Sequence, residues 1–422
     1  MRKNNILLVV VSLVTVVFWL LLKPVEPITS AVHISQLVGA LSLVGLAYVN
    51  FIATRHPWVD RLFGGLDKAY VDHKWVSLIA IVLIIVHIGI LAGGEGLIIA
   101  RGVVNPEDGP GMLGWVSTVL FLVLGHIAFW ATKMNYETWK SIHKIMFLPY
   151  LIGLVHYYQC SDYMVLGLAP FNIWLNLVNS VGLIAVIYSI FIYERTAFRY
   201  RYNVSRVKTV ATDTIEITGN TTGKYLEFKP GQFTFLKFPD KSINLPSHPF
   251  TISQAPQKGE IQFTIKNLGD HTAKLIDKVK VGDRFAVTRP SGMFDYTRGS
   301  RHQIWIAGGI GITPFRSFIQ AGVPEEFSVD LFYAYNNAAE GPYLDELKTL
   351  LNGGNVRLHL IDYGEKGFLT VEIIKGAVKI ENPIDIYFCG PVPMRVGLEM
   401  AIEQSNLNLN VLGFHFEEFK FR

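Results

Sequence analysis

The stretches VDHKWVSLIAIVLIIVHIGI, residues 71–90, and IHKIMFLPYLIGLVHYY, residues 142–158, decide how this chain reads. Each is apolar over most of its length and carries two histidines, His73 and His87 in the first and His143 and His156 in the second, spaced 14 and 13 residues apart. At about 1.5 Å of rise per residue, either step separates two imidazoles by about 20 Å along a helix axis. That puts one near each face of a hydrocarbon layer about 30 Å thick. Side by side, two such helices offer two stacked imidazole pairs, the ligand set of two bis-histidine haems forming an electron wire across a membrane. A single membrane histidine is as well explained by a hydrogen bond to a neighbouring helix. A matched pair of pairs at nearly equal depth favours ligation, because ionisable groups in lipid are costly and usually functional. The 14-residue step returns to nearly the same helix face, whereas the 13-residue step misses it by roughly a third of a turn or more. Pro149 lies between His143 and His156, and a proline in a helix interior kinks it, which would restore the facing.

Composition fits a chain substantially embedded in lipid. Half of the 422 residues are hydrophobic and the mean hydropathy is positive, as expected when long spans are present. The length suggests two or three domains. The net charge is only +4, with basic residues gathered at helix ends, so no nucleic-acid partner is indicated. Cys160 and Cys389 are the two cysteines. They are too few for a disulfide scaffold, a four-thiolate zinc site or a cysteine-ligated iron–sulfur cluster.

Apolar runs fall at Ile6 to Leu22, Ile34 to Ala53, Trp75 to Leu91, Leu113 to Thr132, Ile142 to Tyr158 and Asn172 to Tyr193. Most are near spanning length and predict a membrane bundle of six transmembrane helices. The first run follows Arg2 and Lys3 but lacks a small-residue cleavage site, and Lys23-Pro24 closes it, so it is expected to stay as a helix. Arg2 and Lys3, then Arg55, Arg61, Lys68 and Lys74, then Lys133, Lys140 and Lys144, then Arg195, Arg199 and Arg201 occupy alternate connections. Because Lys and Arg favour the cytoplasmic side, both termini are expected inside. His73 and His143 then share the inner level, and His87 and His156 the outer.

After Tyr193 the pattern changes. Alternating segments such as Asp213 to Thr218, Phe233 to Phe238 and Ile261 to Lys266, separated by Gly, Pro and Asn turns, predict an antiparallel β-barrel. From about Gln303 strands and helices alternate, which predicts an α/β nucleotide-binding domain. Three motifs stand in this half. His248, Pro249, Phe250, Thr251 and Ser253 precede Lys266, Gly269, His271 and Thr272 by one hairpin. There Thr251 can bond a flavin edge, and the Gly269 turn can offer amides and a hydroxyl to a pyrophosphate. Gly308, Gly309, Gly311, Thr313 and Pro314 follow a strand and open a helix, an arrangement suited to a phosphate. Cys389, Gly390 and Pro391 end another strand, at the carboxyl edge where a ligand would lie.

Together these motifs resemble the ferredoxin–NADP reductase superfamily. With the six helices and four histidines, the chain from about Ile34 to Arg422 is similar to the ferric reductase and NADPH oxidase family in a compact bacterial form. The resemblance implies three parts: residues 1–195 as the transmembrane domain with two b-type haems, 196–298 as the FAD barrel, and 299–422 as the NADPH- or NADH-binding domain. It implies that His73 with His143 ligate the inner haem and His87 with His156 the outer one. His248 to Thr251, Ser253, Lys266 and the Gly269 to Thr272 turn would hold FAD. Gly308, Gly309, Gly311, Thr313, Pro314, Cys389, Gly390 and Pro391 would line the nucleotide site. Phe419, in the run from Phe414, would cover the flavin ring, although Lys420, Phe421 and Arg422 follow it. Phe419, Cys389 and Thr251 are the expected catalytic contacts, and Phe416 or Phe419 as ordinary core is the plainer alternative. His126 is expected to be structural, and His33 and His56 to be solvated at helix ends.

The implied activity is an NAD(P)H oxidase of a bacterial cytoplasmic membrane, moving electrons through FAD and two haems to outer oxygen and giving superoxide. Bis-histidine iron keeps no open coordination site, so the acceptor would react at the haem edge. The outer loop from Ala92 to Met112 carries one basic residue, Arg101, which suits oxygen better than a large ferric chelate. A ferric-chelate reductase and an electron-transfer subunit for a membrane or extracytoplasmic partner protein remain the alternatives, although no obligate partner is expected. No arginine lies close after Tyr335 to pair a 2′-phosphate, though Arg316 or Arg395 could supply one, so weak discrimination between NADH and NADPH is expected.

Overall fold

The computed structural model describes residues 6–22, 30–93, 109–130, 134, 136–160, 170–239, 243, 245–378, 383–404 and 411–417. Two compact units result, Met1–Arg195 and Thr196–Arg422.

The first unit is helical. It comprises α1 (Ile6–Leu22), α2 (Ser30–Ala53), α3 (Pro57–Phe63), α4 (Leu66–Gly93), α5 (Gly109–Trp130), α6 (Tyr136–Lys144), α7 (Phe147–Cys160) and α8 (Pro170–Ile187). A π-turn at Tyr188–Ile192 leads from α8 to α9 (Tyr193–Thr196). Four described segments are long and apolar enough to cross a membrane: Ala31–Ala53, Leu66–Leu91, Gly111–Trp130 and Pro170–Thr196. Of the six expected helices, the second, third, fourth and sixth match these segments. The first run forms a helix of 17 residues. The fifth is broken into α6 and α7. Pro149 has no N–H to give the Ile145 carbonyl, and its ring crowds that position. The chain tightens there instead, with Ile145 N donating to Ile142 O, Met146 N to His143 O and Leu148 N to Ile145 O at 2.9–3.0 Å.

Small residues bring α2 against α4. A Cβ on Gly45 would stand 3.2 Å from that of Ala80, and Ser42 Oγ donates to Ala80 O at 3.1 Å. Such close approach is how helices associate where no water drives them together. Val76, Ala80, Phe121 and Tyr150 are buried, while Ile79, Ile85, Leu122 and Ile184 are exposed. That outward apolar surface is what lipid would cover.

The second unit holds two sheets. β1 (Tyr200–Ala211), β2 (Thr214–Thr221), β3 (Phe233–Phe238), β4 (Leu245–Thr251), β5 (Glu260–Lys266) and β6 (Arg284–Val287) form a six-stranded sheet in the order β4-β3-β6-β1-β2-β5. Every described pairing in it is antiparallel. The chain leaving β4 meets β5 through the Ile252–Phe263 bridge and Ser253 N donating to Gln262 O at 3.0 Å. Ile217, Ile252, Phe263 and Val287 fill its interior. The helix α10 (Asp270–Lys278) follows β5.

The other sheet is parallel: β7 (His302–Gly308), β8 (Ser328–Tyr335), β9 (Val356–Asp362), β10 (Ile384–Cys389) and β11 (Val411–Phe416), in the order β11-β10-β7-β8-β9. Its connections include α11 (Ile312–Ala321), α12 (Leu344–Leu350), α13 (Tyr363–Lys366), α14 (Val371–Ala377) and α15 (Val392–Gln404). After β7 the next strand, β8, lies on one side and β10 on the other. The crevice between the carboxyl ends of β7 and β10 is therefore the topological switch point, where such sheets bind ligands. Phe414 to Phe416, expected as a tail, belong to the edge strand β11.

One acid anchors that edge. Asp385 is buried and accepts from the Ser300 amide at 2.7 Å, and its Oδ1 is 2.7 Å from His415 Nε2. Burial alone would raise this carboxyl, but the Ser300 and His415 bonds outweigh it and hold it below the usual carboxylate range. A depressed carboxyl stabilises the fold above its ordinary pKa, about 3.9, and that contribution is lost as pH falls through the folded value. The melting temperature of the second unit's unfolding step is expected to drop below about pH 4, and Asp385→Asn to flatten that drop. A pH-stability curve unchanged by the substitution would exclude this account.

Candidate functional site

In the helical unit the four histidines form two close pairs, with ring planes inclined at 57° and 73°. His73 on α4 and His143 on α6 have ring centres 6.0 Å apart, and His87 on α4 and His156 on α7 6.5 Å apart. A metal bound at about 2.0–2.1 Å from each imidazole nitrogen, with the ring centre about 1 Å behind it, would hold two centres about 6 Å apart. The donor set therefore fits a bis-histidine iron at both levels. His73 Nδ1 lies 3.3 Å from Val49 O, and His87 Nδ1 2.8 Å from both Ser35 O and Ser35 Oγ. An N–H given to a carbonyl fixes the tautomer and leaves Nε2 for the metal. His143 stacks on Trp139, with centres 4.9 Å apart, and its buried Nδ1 has no partner among the described residues.

Glycines make room for the His87–His156 pair. A Cβ at Gly39 would stand 3.1 Å from His87 Nδ1, and one at Gly114 2.9 Å from His156 Cε1. Were haems held by the two pairs, Gly114→Ala would tilt His156 and shift the midpoint potential of the one His156 holds, leaving the other in place. Potentiometric titration of both haems checks this, and two unchanged potentials would exclude it.

The remaining histidines divide. His126 is exposed on α5 and stacks on Trp130 at 5.2 Å. His56 caps α3, accepting from Trp58 N at 3.4 Å. His33, expected to be solvated, instead lies edge-on to Trp19 with its Nε2 buried and without a partner among the described residues, because α2 packs against α1.

On β4 the pleat sends His248 and Phe250 to one face and Pro249 and Thr251 to the other. His271 on α10 lies over His248 with centres 3.5 Å apart, and 6.4 Å from Phe250. Burial, then His248 and Lys274, push the His271 imidazole down to about 3, so it is neutral at physiological pH. Gly269 precedes α10 without a side-chain cap, which leaves first-turn amides for an anion. Two of the residues expected here already have protein partners. The Thr272 hydroxyl is used within its own turn, accepting from Leu268 N at 2.9 Å and donating to Gly269 O at 3.0 Å. Lys266 pairs with Glu340 at 3.1 Å, because β5 passes beside the turn after β8.

At the β7–β10 crevice the backbones touch. A Cβ at Gly311 would overlap the Cys389 carbonyl, and one at Gly308 would stand 2.7 Å from Pro391 Cδ and 3.3 Å from Gly390 Cα. Gly309 has a φ of +54°. Thr313 donates to Ile310 O at 3.1 Å, and Pro314 sits in the first turn of α11, where a missing N–H costs nothing. Cys389 is fully buried. Burial, reinforced by Glu417, pushes its thiol well up, so it acts here as a neutral thiol.

Glu417 was not apparent from the sequence. It is buried, and its Oε1 lies 2.8 Å from where a Gly292 Cβ would be, a position also bordered by Phe233, the strand partner of Thr251. An acid inside the apolar run from Phe414 was the available signal. Phe419 lies outside the described residues.

Arg316 and Arg395, expected as possible 2′-phosphate partners, are both engaged. Arg316 is buried and bonded to Glu346 at 2.8 and 3.1 Å. Arg395 bonds Glu399 at 2.7 Å and lies 4.0 Å over the Phe416 ring.

The second unit thus joins an antiparallel lobe to a parallel α/β lobe with a glycine turn at its switch point, and the first unit is helical with four apolar segments of spanning length. Comparison with known families agrees: residues 38–154 match the ferric reductase like transmembrane component, 199–304 an FAD-binding domain and 305–399 an oxidoreductase NAD-binding domain. The order of the three matches agrees with the ferric reductase-like, NADPH oxidase-type family.

Among curated relatives, the 2-halobenzoate 1,2-dioxygenase electron transfer component of Burkholderia cepacia is 28% identical over 46% of this chain and 59% of its own length. The carnitine monooxygenase reductase subunit of Escherichia coli is 30% identical over 34% of this chain and 43% of its own. The chain thus spans about half the length of these relatives. Among solved structures, the FAD/NAD-binding domain of nitric oxide dioxygenase from Vibrio cholerae O1 biovar El Tor is 19% identical, with a TM-score of 0.43, over 52% of this chain and 98% of that one.

Proposed function

We propose that this protein is a transmembrane NAD(P)H oxidase of a bacterial cytoplasmic membrane, which takes electrons from NAD(P)H on the inside and delivers them to oxygen outside as superoxide. The observation that carries the reading is the two close histidine pairs, at about the spacing two bound irons require. When bound, FAD accepts an electron pair and releases it singly, and two bis-histidine haems carry single electrons between the membrane faces. His73 with His143 would hold the inner haem and His87 with His156 the outer one, with Ser35 and Val49 orienting the α4 rings. His248, Phe250 and His271 would form one wall of the flavin site, and Thr251 would approach from the opposite face of the strand. The turn from Gly308 to Pro314 and the Cys389 to Pro391 segment would receive the nucleotide, with Glu417 and Cys389 beside the nicotinamide.

An anaerobic difference spectrum of the detergent-purified protein with FAD and NADPH, followed by air and a superoxide-specific reporter, tests the reading. Two reduced b-type haems that reoxidise with reporter signal are expected. Haems that stay reduced in air would overturn the oxidase. A second reading, electron delivery to a partner protein, is favoured by the relatives named as electron transfer components, and that outcome would turn to it.

Because Arg316 and Arg395 are engaged and Glu340 lies just after β8, kcat/KM for NADPH is not expected to exceed that for NADH. Initial rates with both nucleotides check this, and a clear NADPH preference would overturn it.

A further inference from the structure

We propose that Arg316 is a positioning residue for hydride transfer, locking the FAD-binding and nucleotide-binding lobes in the register the transfer needs. The inference rests on the assignment of FAD to one lobe and NAD(P)H to the other. Arg316 belongs to α11, the helix opened by the glycine turn, and it reaches into the antiparallel lobe. Its Nη1 donates to Ser253 O at 2.7 Å and to Gln262 Oε1 at 3.1 Å, and its Nη2 lies 3.5 Å from Glu216 Oε2. Its fork binds Glu346 of its own lobe, and the guanidinium lies 4.0 Å from the centre of the Tyr343 ring. Tyr343 closes the network, its hydroxyl donating to Glu216 Oε2 at 2.8 Å and lying 2.7 Å from Thr264 Oγ1.

The same helix face laces the next two residues. Ser317 Oγ donates to Gln254 O at 2.6 Å, and Ala255 N donates to Gln320 Oε1 at 3.1 Å. Three consecutive residues, Ser253 to Ala255, are thus bound to one face of α11, beginning two positions after Thr251. The segment that carries the flavin contact and the helix that starts the nucleotide site are held as one piece. Hydride transfer moves two electrons and a proton from the dihydronicotinamide to the flavin, which takes a second proton from water. Its rate depends steeply on the approach of the two rings, and a misplacement of about 1 Å can cost about a hundredfold. A planar, five-donor guanidinium can hold both lobes at once in a way that a lysine cannot.

The test uses the full chain, FAD-loaded, as Arg316→Gln and Ser317→Ala. Stopped-flow flavin reduction by NADH is expected to slow about ten- to a hundredfold in Arg316→Gln and less in Ser317→Ala. Flavin content and the nucleotide dissociation constant are expected to stay near those of the parent, and the Ala255 amide to exchange faster with deuterium. Flavin-loaded variants that reduce at the parental rate would overturn the proposal, as would losses that only follow lost FAD. If Arg316→Gln does not fold, Ser317→Ala and Gln320→Ala decide by the same readouts. A parent chain that takes up no FAD would instead defeat the lobe assignment.

Discussion

Replacing His87 with alanine is expected to lower haem content from about two to about one per chain, and His156→Ala to give the same spectrum. The two ring centres are 6.5 Å apart, so, on the proposed assignment, either loss would leave the haem with one protein ligand in an apolar bundle. His73→Ala and His143→Ala should remove the complementary haem, because those rings form the other pair at 6.0 Å. The double variant His87→Ala/His156→Ala should be no worse than either single one, as for residues that act as one unit. Flavin reduction by NADH should survive all four substitutions, whereas reduction of the outer acceptor should survive none. Pyridine haemochrome assays and low-temperature difference spectra read the outcome. Retention of both haems in every variant, or matching spectra for His73→Ala and His156→Ala, would sink the assignment.

Gly311→Ala is expected to disable the nucleotide half while sparing FAD. The added methyl would overlap the Cys389 carbonyl and stand 3.0 Å from Gly390 N, and these are backbone atoms that cannot swing aside. Overpacking of this kind costs about 1–3 kcal/mol. If that cost falls on the nucleotide-bound geometry, kcat/KM for NADH drops about 5- to 150-fold. Gly309→Ala makes the contrast. A Cβ there meets open space, so its cost comes only from the φ of +54° and is about 1–2 kcal/mol. Steady-state kinetics beside flavin fluorescence separate the two, and parental kcat/KM in Gly311→Ala would refute the close-contact explanation.

Local signals were legible wherever a residue's role depends on its neighbours in sequence. The apolar runs with paired histidines, the β-alternation after Tyr193 and the glycine turn after Ala307 are of this kind, since hydropathy and backbone freedom act within a few residues. The break in the fifth run was hidden because the stretch from Ile142 to Tyr158 reads as continuous in composition, while Pro149 interrupts its hydrogen bonds. Side-chain commitments were equally hidden. Arg316 looks available in sequence, but its partners Ser253, Gln262, Glu216 and Glu346 lie 30 to 100 positions away.

By itself, the sequence determined the membrane-plus-reductase architecture, the two histidine levels and the turns suited to phosphate, because each follows from spacing, hydropathy or glycine conformation. The tertiary structure decided how closely the paired imidazoles approach, which cations are already spent and where Glu417 lies. Those outcomes depend on how helices phase around Pro149 and how β7, β10 and β11 align, and packing between distant segments sets both.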